Sequence, residues 1–283
     1  MRGADSTGVV PCRNLSLDLR SRTHIMGILN VTPDSFSDGG RYTSTRTAVE
    51  RAMEMVREGA DLIDIGGEST RPGAERVTLE EELARVVPVV KALVAEGLPV
   101  PISVDTYKAE VARQAMEAGA HIVNDIWGFQ GDPGLQQVAL DFGCPVILMH
   151  NRRETAYADF IPDVLDDLRR SVDIALQAGV RPDHIILDPG LGFAKTMEHN
   201  LHLFSNLHRI AELGYPVLLG ASRKSFIQKT LGRSAQEVLE GTAATTALGI
   251  AQGCSIVRVH DVAEMKRVAL MTDAIVRGGK SYG

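Results

Sequence analysis

Asp105 and Asp188 each close an aliphatic run, Ile102-Ser103-Val104 and Ile185-Ile186-Leu187, so both carboxylates are expected in partly desolvated surroundings. Two carboxylates so placed can act as acid and base, as metal ligands, or as acceptors for a ligand that carries N–H donors. Asn124 closes a third run and can both donate and accept, and Lys224 follows a fourth with an ammonium. Acceptor, amide and ammonium converging on one pocket suit a flat, nitrogen-rich heterocycle better than a sugar. Any one of these residues is as readily a structural hydrogen bond; the set is what points to a site. Arg258 offers a planar fork for phosphate oxygens and a face for stacking on a ring, while His260 reads either as an anion contact or as a hydrogen-bonded structural imidazole. Phe193, in Gly190-Leu191-Gly192-Phe193, is a candidate wall; Trp127 and Phe129 read as packing. No Ser-His or Cys-His pair marks an activated nucleophile. No HxxH, HExxH or acidic triad marks a zinc site, so any cation used is expected to be Mg2+ held by one or two protein oxygens and a substrate phosphate.

These residues share a position in a repeated unit. Eight apolar runs, Ile25–Val31, Leu62–Gly67, Val100–Thr106, His121–Ile126, Pro145–His150, Ile185–Pro189, Pro216–Ser222 and Ser255–His260, end on polar residues or Gly/Ser turns. Helix-length stretches separate them. Polar groups at one end of every strand converge only if the strands are parallel and close into a ring, which is the plan of a (β/α)8 TIM barrel with its site at the strand ends. Helical spacing is expected over Leu79–Ala95, Ala109–Ala118, Val164–Ala178, Glu237–Ala251 and Val262–Val276. Thr32–Thr43 is rich in Gly, Ser, Thr and Asp and reads as a long catalytic-face loop, a candidate lid. Leu15, Leu17 and Leu19 alternate with polar residues, so residues 1–24 are expected to form an N-terminal extension with a hairpin closing the barrel bottom, and residues 25–280 the single-domain barrel.

Bulk properties agree. The 283 residues suit one α/β barrel, and the 44% hydrophobic fraction supplies its core. A net charge of −6 argues against nucleic acid as partner. Arg71, Lys195, Arg223, Lys224, Arg258 and His260 sit at or just after strand ends, whereas acids crowd helices at Glu80-Glu81-Glu82 and around Asp163, Asp166 and Asp167. That pattern predicts a basic mouth that draws in an anionic ligand. Cys12, Cys144 and Cys254 are odd in number and far apart, as reduced thiols are. Neither a signal-type leader nor a membrane span is evident, so a cytoplasmic protein without membrane partners is expected.

The segment Met26-Gly27-Ile28-Leu29-Asn30-Val31-Thr32-Pro33-Asp34-Ser35-Phe36-Ser37-Asp38-Gly39-Gly40 strongly resembles the first signature of the dihydropteroate synthases, and Asp64-Ile65-Gly66-Gly67-Glu68-Ser69-Thr70-Arg71-Pro72-Gly73 the second. Ser103-Val104-Asp105-Thr106, Asn124-Asp125, Leu148-Met149-His150, Asp188-Pro189-Gly190, Gly192-Phe193-Ala194-Lys195-Thr196, Ser222-Arg223-Lys224-Ser225 and Arg258-Val259-His260-Asp261-Val262 continue the match in order. The resemblance implies a pterin-binding transferase of folate biosynthesis that joins 6-hydroxymethyl-7,8-dihydropterin diphosphate to 4-aminobenzoate, giving 7,8-dihydropteroate and pyrophosphate. It implies catalytic parts for Asp105, Lys224 and Arg258. Asp105, Asn124, Asp188, Lys224, Arg258, Met149 and Phe193 would hold the pterin, and Asn30, Thr70, Arg71, Arg258 and His260 the diphosphate. Phe36, Pro72, Phe193 and Ser225 would shape the 4-aminobenzoate site, and Asn30 would ligate Mg2+. A homodimer through the last helices and a sulfonamide target are implied as well. A pterin-dependent methyltransferase would share the pterin pocket but has no use for the diphosphate grip or the Thr-Pro-Asp-Ser-Phe-Ser loop. A silent pterin-binding paralogue should lack at least one of Asn30, Asp105, Lys224 and Arg258, and all four are here.

Overall fold

A computed structural model describes residues 8–32, 41–68 and 76–278. Two antiparallel strands open the chain, β1 (Val9–Cys12) and β2 (Leu15–Asp18). Eight parallel strands follow: β3 (His24–Asn30), β4 (Leu62–Gly66), β5 (Ile102–Asp105), β6 (Ile122–Asp125), β7 (Val146–Met149), β8 (Ile185–Asp188), β9 (Leu218–Leu219) and β10 (Ile256–Val259). Their order is β8-β7-β6-β5-β4-β3-β10-β9, and a parallel bridge between Leu187 and Val217 closes β8 on β9. There the Leu187 N–H donates to the Pro216 carbonyl at 2.9 Å. The ring is the expected TIM barrel.

Helices fill the intervals: α1 (Arg41–Glu58), α2 (Leu79–Ala95), α3 (Ala109–Glu117), α4 (Gly134–Phe142), α5 (Phe160–Gln177), α6 (Met197–Phe204), α7 (Leu207–Ala211), α8 (Ser225–Leu231), α9 (Leu239–Ala251) and α10 (Val262–Val276). Three expectations change. Arg41–Thr43 belong to α1 rather than to the long loop, and α5 starts at Phe160 rather than Val164, with Pro162 in its first turn, where a missing N–H is harmless. The run Pro216–Ser222 yields a strand of only two residues, since Gly220 and the polar turn after it leave the ladder.

Strand alternation decides which side chains reach the interior. Ile63, Ile65, Ile102, Val104, Val123, Val146, Leu148, Ile185, Leu187, Val257 and Val259 face outward into the core shared with the helices. Met26, Leu62, Ile122, Ile147, Ile186, Leu218 and Ile256 face inward and cluster with Val10, Cys12, Leu17 and Leu19 of the hairpin. The hairpin therefore plugs the bottom of the barrel. Two residues further along the same inward face stand Asp64, Asn124, Met149, Asp188 and Arg258, with Asp105 level with Asn124 in the β5–β6 register.

Candidate active site

Arg258 of β10 is the hub of this upper layer. Its Nε donates to Asp64 Oδ2 at 2.6 Å and its Nη2 to Asp105 Oδ2 at 2.8 Å. Asn124 Nδ2 donates to the same Asp64 carboxylate, 3.4 Å from Oδ1 and 3.2 Å from Oδ2. Asp64 is fully buried, and such a carboxylate persists only when it is paired. Burial draws the Arg258 guanidinium down, but Asp64, Asp105 and Asp188 outweigh it and hold its pKa above the usual arginine value. Burial pushes the Asp105 carboxyl up to about 7, against the pull of Arg258 and with a further push from Asp64. Its Oδ1 is buried with no hydrogen-bond partner among the described residues, an acceptor left for a ligand's donor. Asp188 is also raised by burial, and its Oδ1 accepts the Gly190 N–H at 2.7 Å. Met149 pairs with Asp188 in the β7–β8 register and is buried beside it.

At the rim, Lys224 precedes α8 and its Nζ lies 4.3 Å from the centroid of the Phe193 ring. Ser225, the first residue of α8, is exposed. Ser222 Oγ lies 2.9 Å from His260 Nδ1 and accepts the His260 backbone N–H at 3.3 Å. The pair fixes the orientation of the imidazole and leaves Nε2 on the side of the ring away from Ser222. Asn30, at the end of β3, is half-buried, and its Oδ1 lies 3.8 Å from where a Cβ would stand on Gly66.

The structure gathers Asn30, Asp105, Asn124, Met149, Asp188, Phe193, Lys224, Ser225, Arg258 and His260 at one end of the barrel. Phe36, Thr70, Arg71 and Pro72 lie outside the described residues. The basic mouth needs correction. Arg223 is turned to Asp261, with Nε–Oδ2 3.2 Å and Nη2–Oδ1 2.5 Å, and Lys195 lies behind the turn after β8. Arg258 is already compensated by two carboxylates. Lys224 and His260 stand at the rim, beside Phe193 and Ser222 respectively. The helix acids are not all solvated either: Glu82 pairs with Lys108, and Asp167 accepts from Arg152 Nε at 2.6 Å.

Asp64 was the residue that sequence reasoning passed over, since it sits inside a strand and not at its end. The available signal was parity: Leu62, Asp64 and Gly66 share the inward face, and a charge on that face needs a partner. Glu68 is likewise held aside by Tyr107 Oη, 3.0 Å from Oε1, and by Lys108 Nζ, 2.6 Å from Oε2.

Comparison with known proteins agrees with this geometry. The family model described as pterin binding enzyme matches residues 26–260. The dihydropteroate synthase of Clostridium beijerinckii is 55% identical over 261 residues, spanning 92% of this chain and 97% of its own. That of Bacillus subtilis is 54% identical over 280 residues, 99% of this chain and 98% of its own. Among solved structures, the Clostridium difficile dihydropteroate synthase crystallised with pteroic acid superposes with a TM-score of 0.88 at 50% identity, covering 90% of this chain and 97% of that one. The Yersinia pestis dihydropteroate synthase in complex with a sulfonamide drug gives 0.88 at 42% identity over 96% of this chain and 100% of its own. Similarity this high from end to end has one reading: the chain belongs to the pterin-binding enzyme family, as a dihydropteroate synthase.

Proposed function

We propose that the chain joins 6-hydroxymethyl-7,8-dihydropterin diphosphate to 4-aminobenzoate by losing pyrophosphate before the amine attacks. The observation that carries this order is Arg258 held between Asp64 and Asp105 beside Asn124 and Asp188, a layer whose carboxylates can stabilise a cation formed on the pterin. Asp188 and the Asn124 amide oxygen accept the N–H groups of the pterin's amino-pyrimidine edge. Lys224 donates to the ring carbonyl, and the guanidinium face of Arg258 stacks on the ring. As the methylene C–O bond breaks, its electron pair leaves on the diphosphate, which His260, Thr70, Arg71 and Asn30 grip, and positive charge spreads over the pterin. The Asp105 carboxylate stabilises that charge, and such preorganised electrostatics supply large rate factors. The amine nitrogen then bonds to the methylene carbon and gives up its proton to solvent. Phe193, Ser225, Phe36 and Pro72 wall the amine's side of the pocket.

Among the described residues no group of three or more His, Cys, Asp or Glu could hold a metal. The half-buried Asn30 carbonyl oxygen fits Mg2+ of the kind bound through one or two protein oxygens and substrate phosphates. Mg2+ there would neutralise charge on the departing pyrophosphate. A sulfonamide that mimics 4-aminobenzoate is expected to compete at the Phe193 side.

No helix among the described residues is long and apolar enough to cross a membrane, which supports a cytoplasmic setting. Leu248 on α9 and Met271 and Ile275 on α10 are 57%, 63% and 68% exposed, and these two helices pack together, which supports a homodimer through this face. A Met271→Asp variant that stays dimeric in sedimentation would remove that assignment.

The test of function is pyrophosphate release from the pterin diphosphate with Mg2+, with and without 4-aminobenzoate. Dihydropteroate formed with the amine, and some release without it, supports cleavage before attack. Pterin binding with no release in either mixture would point to a silent paralogue.

A further inference from the structure

The turn after β8 carries Phe193 and buries Leu191 in the core. Gly190 and Gly192 have φ of +66° and +85°, and Ala194, with a side chain, is held at +45°. A Cβ on Gly190 would lie 1.9 Å from the His150 carbonyl oxygen, so the turn is pressed against the end of β7. Left-handed residues aim successive carbonyls to one side, and here they converge on a single ammonium. Lys195 Nζ donates to the Gly190 carbonyl at 2.9 Å and to the Phe193 carbonyl at 3.0 Å, and lies 2.8 Å from His150 Nδ1. Three donors meet three acceptors, which satisfies an ammonium completely.

The arrangement continues outward. With Nδ1 accepting from Lys195, the His150 proton sits on Nε2, 3.2 Å from Asp167 Oδ2 on α5. Asp167 takes Arg152 Nε at 2.6 Å, and the Arg152 guanidinium lies 4.4 Å from the centroid of the Tyr157 ring. Tyr157 Oη returns to the turn by donating to the Ala194 carbonyl at 2.9 Å. Asn200 of α6 completes the frame, its Oδ1 accepting the Gly192 N–H at 2.6 Å. Burial draws the Lys195 ammonium down to about 7, with Asp188 holding it up and Lys224 and Arg152 pressing it further down. An ammonium kept there at that cost needs a function, and none of its contacts is one that a substrate could share.

We infer that Lys195 is a positioning residue: its enclosed ammonium staples the Gly190–Phe193 turn and thereby fixes the Phe193 ring against Lys224, on the 4-aminobenzoate side of the pocket. This rests on the assignment of Phe193 to that side. The staple acts more on the amine substrate than on the pterin, because Asn124 and Asp188 stand on β6 and β8 themselves, whereas Phe193 is held only through the turn.

The test pairs a variant with a measurement on the unaltered protein. Lys195→Met keeps the stem and removes the charge. It is expected to raise KM for 4-aminobenzoate about tenfold, the factor that one lost charge-assisted hydrogen-bonding group carries. The Kd for 6-hydroxymethylpterin should stay within about twofold, a split that a general loss of structure cannot produce. An unchanged amine KM, or an equal rise in both constants, overturns the proposal. Independently, reductive methylation of the wild-type protein read by peptide mass spectrometry should modify the exposed Lys91 and Lys229 and spare Lys195. Methylation of Lys195 at the surface rate overturns the staple even if Lys195→Met does not fold. A wild-type protein that makes no dihydropteroate would fail the functional reading instead, and would leave the methylation result standing.

Discussion

Leu62 and Asp64, Ile122 and Asn124, Ile186 and Asp188, and Ile256 and Arg258 are pairs two residues apart on one inward face of the barrel, and they live under opposite rules. The first of each pair is sealed by the hairpin leucines and contributes by removing apolar surface from water, roughly 1.5–3 kcal/mol for each large aliphatic side chain. The second of each pair is polar, and persists because its neighbours compensate it: Asp64 by Arg258 and Asn124, and Asp188 by Gly190 N–H. The lower layer tolerates any aliphatic residue that fills space. The upper layer is the more sensitive to deletion, because the compensation of each group comes from its neighbours in the same layer.

Arg258→Ala should break this contrast most severely. It strands Asp64 and Asp105 as buried carboxylates without their cation, a loss that typically costs about 3–5 kcal/mol. For a chain of this size that corresponds to a fall in Tm of roughly 10 °C, and removal of the ring-stacking cation should lower kcat/KM by at least ~10³-fold. Calorimetry and steady-state rates check both, and a variant with native Tm would mean that the carboxylates are compensated elsewhere.

Asp105→Asn comes next, because it removes charge and keeps shape. The rate should fall ~10²–10³-fold with little change in Tm. The pH profile sharpens the point. Asp105 must be ionised to stabilise a cation, and burial raises its pKa to about 7, so wild-type kcat/KM should fall as pH drops through about 7. That acid limb should vanish in Asp105→Asn; its survival would assign the limb to another group.

Ile147→Ala probes the other layer. Ile147 is fully buried among hairpin and strand side chains, and the cavity should remove ~2–5 kcal/mol of stability. Both KM values and kcat should hold within about twofold at temperatures where the variant is folded. A selective loss of activity would show that the two layers are mechanically coupled.

Much of this division is legible in the chain. Aliphatic runs ending in Asp105, Asn124 and Asp188 announce strands with polar C-terminal ends, and Leu15, Leu17 and Leu19 announce the hairpin, because period-2 patterning is local information. What stays hidden is pairing across the ring. Arg258 and Asp64 are 194 positions apart in the chain, and nothing local says that the guanidinium turns inward to a strand-centre carboxylate. The same blindness makes Arg223 and Lys195 look like mouth cations, when one serves Asp261 and the other a turn's carbonyls. Charges at strand ends can be counted from sequence; which of them remain available to a ligand is a tertiary property.

Ser222→Ala should have the smallest effect and locates the edge of the upper layer. Ser222 Oγ stands 2.9 Å from His260 Nδ1 and touches none of the pterin-edge residues by hydrogen bond. Its loss removes the contact that fixes the imidazole's orientation. One neutral hydrogen bond is worth ~1 kcal/mol, so KM for the pterin diphosphate should rise about five- to tenfold. Binding of 6-hydroxymethylpterin, which has no diphosphate for His260 to meet, should be unaffected. Parallel titrations of the two ligands decide between the alternatives. If both weaken together, Ser222 supports the barrel end as a whole, and the boundary between structural and ligand-facing groups lies deeper than the strand-end turn. If only the diphosphate weakens, His260 acts on the anion alone, and the upper layer divides into a heterocycle-binding floor on β4, β5, β6 and β8 and an anion grip on the turns after β9 and β10.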